Sequence, residues 1–441
     1  MSFTGQNIVH REGKLTDKKI KIFTISDHPF SSSGVGLQTK YIIEAMLRTG
    51  KFSFISFGGA IKHDDYRPVR TEEFKDDWTI IPVNSYGTPE MVRSVLQTEK
   101  PDILWFMTDP RFYGWLWEIE NEVRAAVPMV YYHVWDNYPY PHFNKKWYDS
   151  NDVIATISKV TSDIVKNVSP GVKEMYIPHM TDTDIFCKNP MKNQSVENFR
   201  QLSFSLTPEQ SKDTTIFFWN NRNARRKMSG TVVWWFKEFL DKVGDDKAKL
   251  VLHTDAKDPH GQDIVHLMEH LGLTNGQVMI SGQKLPPQQL AMLYACADCT
   301  LNIADAEGFG LATFESLACE TPVIVNMTGG LQEQVTDGEN WFGIGIHPTS
   351  KAVIGSQEVP YIYEDRVSKE DFINALVKMH EMSPDERATL GKMGRDHILS
   401  KYSSKQFAER WDKLLTQVID EFGSWDNRRG YQSWKFQEVS L

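Results

Sequence analysis

Glu307 and Glu315 stand eight residues apart in the stretch Asp305–Ile324, with Gly308 and Gly310 between a strand end and a helix opening. Glycines there let the backbone approach a ligand closely. The helix N-terminus beyond them turns unpaired amides toward an anion. Glu307 precedes the helix, where it can reach a sugar hydroxyl. Glu315 lies one to two turns in, where it can accept from a ribose. A capped helix with two solvated acids would use the same residues. A second cluster lies in Phe217–Lys227, where Arg222 and Lys227 are five residues apart and Arg225 and Arg226 add charge. Two fixed cations at a strand end suit a departing diphosphate, because they offset charge as the sugar–phosphate bond breaks. A solvated basic loop is the plainer reading. Cys296 and Cys299 have Cys-x-x-Cys spacing, but at a helix end before a buried strand they are expected as small core residues, not as a redox pair or half a zinc site.

These groups need elements to hold them. Lys21–Ser26 is a β-branched run, followed by a serine- and glycine-rich loop with Gly34 and Gly36 and by a helical stretch, Leu37–Arg48. Strand, glycine loop and helix open a βαβ unit. Phe52–Phe57, Ile103–Met107, Met129–Val134 and Val153–Ile157 read as further strands, with helices such as Pro89–Thr98 and Tyr113–Val127 between them. The polar, aperiodic stretch Asn189–Asp213 reads as an interdomain linker. Beyond it, strands at Thr215–Trp219, Lys249–Leu252, Gln277–Ile280, Thr300–Ile303 and Pro322–Asn326 alternate with helices at Thr231–Lys242, Ile264–His270, Gln288–Cys296 and Leu311–Cys319. The alternation predicts an α/β chain of two doubly wound halves with mostly parallel sheets. Three units are expected, at 1–205, 206–404 and 405–441. In the last, Lys405–Phe422 carries Phe407, Trp411, Leu414, Leu415, Val418 and Phe422 on one stripe, and Trp425, Tyr431, Trp434 and Phe436 are expected to pack.

The 441 residues carry a formal charge of −9. Residues 1–200 hold 24 Lys+Arg against 25 Asp+Glu and the remainder 25 against 33, so a basic nucleic-acid footprint is absent. The longest apolar runs, such as Ala126–Trp135, fall short of the roughly 20 residues that span a bilayer. The first residues lack the apolar region of a signal peptide. Four cysteines in a chain of this length are no disulfide framework, and a reducing cytoplasm is the expected location.

Glu307-Gly-Phe-Gly-Leu with Glu315, then Thr321-Pro-Val-Ile and Gly329-Gly330, resembles the retaining nucleotide-sugar glycosyltransferases of family 4. The resemblance implies the GT-B fold: two Rossmann-like, doubly wound domains facing across a cleft, with a C-terminal helix crossing back. It implies that Glu307 binds donor-sugar hydroxyls and Glu315 the ribose, and that the backbone at Phe309, Gly310 and Leu311 meets sugar and diphosphate. Phe217–Lys227 resembles the family's cationic motif, with Asn221 where the family has glycine; this assigns the diphosphate to Arg222 and Lys227. A histidine at the end of a buried first-half strand, here His133, is implied at the donor sugar. Gly34 and Gly36 are implied near the diphosphate, and Gln283 and Leu285 near the base. The implied reaction is hexosyl or pentosyl transfer from a nucleotide-diphosphate donor, a UDP-sugar being the leading one. It proceeds with retention by front-face displacement, and without a metal or other cofactor. The acids of Thr108-Asp109 and Thr181–Asp184 are accordingly not expected to hold a metal.

The acceptor is read from the first half. The loop Trp135–Phe143, with Trp135, Asp136 and Tyr138, is rich in rings and polar groups that stack on sugars or bases, or simply pack. A glycan or lipid-linked sugar is the leading acceptor. The near-neutral first half and Lys145-Lys146 leave open a hydroxymethylated base in DNA, which would be extruded and stacked on this loop. A sugar-nucleotide epimerase and a non-catalytic sugar-binding protein are the remaining alternatives.

Overall fold

The computed structural model describes residues 18–435. Phe436, grouped above with the tail, and residues 1–17 of the first expected unit lie outside them. The first half is built on an eight-stranded sheet. Its strands are β1 (Ile20–Asp27), β2 (Phe52–Gly59), β3 (Val69–Arg70), β4 (Trp78–Pro82), β5 (Ile103–Met107), β6 (Met129–His133), β7 (Val153–Thr156) and β8 (Lys173–Tyr176), in spatial order β3-β4-β2-β1-β5-β6-β7-β8. All neighbours are parallel except the short β3–β4 pair. The second half carries β9 (Thr215–Asn220), β10 (Ala248–His253), β11 (Val278–Ser281), β12 (Cys299–Asn302), β13 (Val323–Asn326) and β14 (Gly343–Ile346), all parallel, in the order β11-β10-β9-β12-β13-β14. Strands buried on both faces read as continuous apolar runs, and β5, β6 and β7 are buried along their whole length.

Both sheets point their carboxyl ends at one cleft, lined by the loops that follow β1, β5, β9 and β12, where the strand order of each sheet reverses. Ser33 caps the helix Gly34–Arg48 by accepting from the Gly36 amide at 3.0 Å. The stretch expected as an irregular linker is instead folded against the second half. Ser195 and Thr207 cap two helices, Val196–Phe204 and Pro208–Asp213, the second through a reciprocal capping box with Gln210. Buried Arg200 donates to the carbonyls of Cys296 at 2.6 Å and Thr214 at 2.5 Å and pairs with Asp298 at 2.8 Å. Capped ends and one buried, fully bonded arginine hold a polar segment that periodicity alone leaves unassigned.

The helix Ser404–Phe422 returns to the first half. Trp411 is fully buried, edge-on to Tyr132 at 4.9 Å and to Trp105 at 6.0 Å. Beyond it, Trp425 donates to the Pro101 carbonyl at 2.8 Å, and Tyr431 lies under the Arg124 guanidinium at 4.4 Å. Arg428 and Asp152 pair at 2.7 Å with side chains 4% and 1% exposed. One apolar core runs from the first sheet through this helix into the second half.

A last pair of strands, β15 (Ser350–Ile354) and β16 (Ile362–Arg366), forms an antiparallel hairpin outside both sheets. It leaves the second half and reaches the first, where the Tyr363 amide donates to the Tyr138 carbonyl at 2.6 Å and the Asn137 amide to the Tyr363 carbonyl at 2.8 Å. Val359 is buried in the first half's core, and Tyr361 meets Phe143 edge-on at 5.1 Å.

Candidate active site

The cleft between the two sheets has a volume of about 1370 Å³. At its centre Lys227 and Glu307 form a buried ion pair. Lys227 is carried by the turn after β9, and Glu307 by the turn after β12. Glu307 also accepts from the Asn302 amide at 3.4 Å. Burial pushes the Glu307 carboxyl up, but the Lys227 ammonium and the Arg226 guanidinium outweigh it and hold it below the usual range. Lys227 is pulled down, by burial first and by Arg226, against the opposing charge of Glu307. Arg226 lines the cleft beside this pair and donates to the Ala306 carbonyl.

The helix Leu311–Ala318 opens from Gly310, whose φ of 91° is the left-handed conformation that favours glycine. Gly329-Gly330 dock beneath. A Cβ on Gly329 would stand 1.8 Å from the Glu307 carbonyl oxygen, which accepts from the Gly330 amide at 3.1 Å. The two halves touch here: a Cβ on Gly308 would lie 3.1 Å from the Val134 carbonyl and 3.8 Å from an Asp136 carboxylate oxygen, and one on Gly34 would lie 3.0 Å from Leu311. Asp136 thus faces the Glu307 turn from the first half. Burial, with a smaller push from Glu307, raises its pKa to about 6 against the pull of Arg226. Glu315 accepts from the Tyr294 hydroxyl at 3.0 Å, and burial lifts its pKa to about 7.

Residues 211–378 match the family model of the glycosyl transferases group 1. Over that segment the chain is similar to the group 1 glycosyl transferases. A D-inositol 3-phosphate glycosyltransferase of Corynebacterium jeikeium is 26% identical over 41% of this chain and 38% of its own length. An N-acetyl-alpha-D-glucosaminyl L-malate synthase of Bacillus anthracis is 20% identical over 62% and 61%, and an alpha-monoglucosyldiacylglycerol synthase of Streptococcus pneumoniae 26% over 58% and 54%. The chain therefore spans about half the length of the curated relatives it matches. A sucrose-phosphate synthase structure from Thermosynechococcus elongatus superposes with a TM-score of 0.69 at 18% identity, over 91% of this chain and all of that one. A glycosyltransferase from Rickettsia africae gives 0.68 at 14%, over 91% and 99%. These likenesses are of fold, the GT-B arrangement.

Several expected site residues meet in the cleft: Lys227, Glu307, Phe309, Gly310, Leu311 and Glu315, joined by Gly34, Gln283, Leu285, Trp135 and Asp136. Others do not. His133 is fully buried behind the cleft, its Nε2 2.6 Å from the Tyr148 hydroxyl and its ring against Tyr131 and Tyr148. Burial takes its pKa to about 3. It faces away because side chains alternate along β6, and the inward-packed side falls on position 133. Two histidines do line the cleft, His253 at the end of β10 in the second half and His179, after β8, in the first. The Tyr132 hydroxyl donates to the Ile177 carbonyl at 2.8 Å, so it accepts from His179 Nδ1, also at 2.8 Å. Its one proton sets the tautomer and leaves Nε2 the acceptor nitrogen. No sequence signal marks His179: β8 ends three residues earlier, at Tyr176, and is half-exposed without an apolar run.

Arg222 lines the rim, but it is clamped by Asp258 at 2.5 Å and His260 at 2.8 Å; Arg226 lies closer to Glu307. Gly36 lies under its loop, where a Cβ would strike the Ser31 hydroxyl at 2.2 Å. Tyr138 turns away to donate to Asp163 at 2.7 Å, and Trp135 is 6% exposed with its indole bonded to the Asn137 carbonyl. The aromatic loop packs, so it offers little open face for a base to stack on. Cys296 and Cys299 are buried core thiols, both pushed up by burial.

Proposed function

We propose that the chain transfers a sugar from a nucleotide-diphosphate donor, a UDP-sugar first among candidates, to the hydroxyl of a glycan or lipid-linked acceptor with retention of configuration. The observation that carries this reading is the buried Lys227–Glu307 pair with Arg226 beside it, at a helix opening where the two halves meet. In this reading a donor entering the cleft gives Lys227 a second anion to hold. Lys227 and Arg226 then offset the charge that grows on the diphosphate as the anomeric C–O bond breaks. Glu307, ionised and fixed by Lys227 and Asn302, accepts from donor-sugar hydroxyls and sets the ring's orientation. The leaving phosphate oxygen takes the acceptor's proton while the acceptor oxygen bonds to the same face of the anomeric carbon, so products are the glycoside and the nucleoside diphosphate. Glu315 holds the ribose, Gln283 and Leu285 flank the base, and His179 Nε2 accepts from a donor hydroxyl in the place first assigned to His133. No metal is required in this scheme, because the two cations and the helix amides meet the diphosphate charge.

The experiment offers UDP-, GDP- and ADP-glucose to the purified chain and follows nucleotide release and product mass, then reads the anomeric coupling of the product by proton NMR. Glu307→Ala is expected to lower turnover about 10²- to 10³-fold, the usual result of removing one preorganised electrostatic group, while leaving the circular dichroism unchanged. Near-normal turnover in that variant, or an inverted product, overturns the assignment. EDTA is expected to leave the rate unaltered.

A further inference from the structure

Resting on the transferase reading, we propose that the hairpin β15–β16 is the far wall of the acceptor site, and that this wall makes the site a pocket for the uncharged hydroxyl-bearing end of an acceptor, a sugar or polyol. Ile354, Gly355, Ser356 and Val359 of its tip line the cleft beside the first-half residues Arg111 and Asp136. The Arg111 guanidinium feels the charges of Glu358 and Asp136, which places tip and loop at one end of the cleft.

The wall is held at both ends. At its root Glu364 accepts from Arg225 Nη1 at 2.9 Å and from Arg366 at 2.7 Å, and the Asp365 amide donates to the Asp305 carbonyl at 2.9 Å. Its far side is sewn to the first half by the Tyr363–Tyr138 and Asn137–Tyr363 bonds. The tip is a closed turn: the Ser356 amide donates to the Val359 carbonyl at 2.7 Å, the Val359 amide to the Ser356 hydroxyl at 3.2 Å, and a Cβ on Gly355 would strike two carbonyls at 2.6 Å. A segment built from the donor half therefore bounds the space in front of Asp136.

The charges at this end select the acceptor. Arg111 is bound in a bidentate fork by Asp109, both bonds 2.9 Å, so its charge is already met. Asp136 adds a carboxyl, and the cations that pull on it, Arg226 and Lys227, belong to the donor half, where they are engaged by the Ala306 carbonyl and by Glu307. A phosphate-bearing acceptor end would meet carboxylates there, and two like charges at such range repel. A neutral hydroxyl can instead donate to Asp136.

The test uses the full chain with UDP-glucose, GDP-glucose and ADP-glucose, scoring donor hydrolysis as well as transfer. Replacing Ile354–Ile362 by a two-residue Asn-Gly turn keeps the outer hairpin pairing and removes the tip. Opening the acceptor end to water is expected to raise hydrolysis about tenfold with donor KM within about twofold. Ser356→Trp, which retains Val359, is expected to lower transfer to maltose about tenfold with the same donor KM. Unchanged hydrolysis and transfer in both variants, or a raised donor KM, overturns the wall. In the unmodified chain, product on maltose or glycerol supports the neutral class, and product confined to phosphatidylglycerol vesicles or hydroxymethylcytosine DNA overturns it. No turnover of any of the three donors by the unmodified chain sinks the transferase reading itself, an outcome distinct from failure of the wall.

Discussion

Glu315 accepts from the Tyr294 hydroxyl, and burial holds its proton to about pH 7. A ribose diol donating to it needs the ionised form, so nucleotide binding must expel that proton below pH 7. The sign follows: affinity for UDP is expected to weaken as pH falls from 8 to 6 and to be steady above 8. Calorimetric titration at three pH values checks this, and Glu315→Gln should abolish the slope along with most of the affinity. The contrast with Glu307 is electrostatic, since Lys227 and Arg226 keep that carboxylate ionised throughout the same range. Glu307, Lys227 and Glu315 are legible in the sequence because each is placed by a local turn or helix register. Arg222 against Arg226 is not, because the choice is made by Asp258, thirty-six residues away and on another turn. His133 ends β6, and His179 follows β8. Which one meets the cleft depends on the facing of β6 and on the Tyr132 hydroxyl, and neither has a sequence signature.

At the level of elements, the helix Ser404–Phe422 earns its place through one stripe, with Phe407, Trp411, Leu414, Leu415 and Val418 buried against the first half. Trp411→Ala is expected to cost about 3–5 kcal/mol, the range for an aromatic removed from a packed core, read as a lowered urea midpoint with an unaltered slope. Interior strands such as Ile103–Met107 are legible because burial on both faces demands uninterrupted apolar residues. The edge strand Lys173–Tyr176 is half-exposed throughout and has no such run. The stretch Tyr113–Val127 reads as one helix yet divides into Gly114–Trp117 and Glu120–Ala126. The hairpin Ser350–Arg366 escapes pattern reading for another reason. Its residues alternate poorly, and it is held by Glu364 and Asp365 to partners far away in sequence.

Across the whole molecule, the halves are joined by the chain that leaves β8, by the returning C-terminal helix with its tail, by the hairpin seam, and by Glu333, which accepts from the Lys159 amide at 2.7 Å and the Tyr176 hydroxyl at 2.6 Å. Arg428→Ala would leave Asp152, 1% exposed, with only Arg124 and the Met129 amide. Loss of one partner of a buried pair costs about 3 kcal/mol or more, and the melting temperature is expected to fall accordingly. No helix among the described residues is long and apolar enough to cross a membrane.

The hairpin seam also bears on how readily a donor is captured. Where two lobes swing freely, the fraction of molecules already shut divides the intrinsic affinity, and the ligand must make up the difference. Here Gly308 abuts the Val134 carbonyl, and Tyr363 is bonded to Tyr138. Lobes that hold these contacts in solution have little swing left to lose. UDP is expected to leave the radius of gyration in solution scattering unchanged within error.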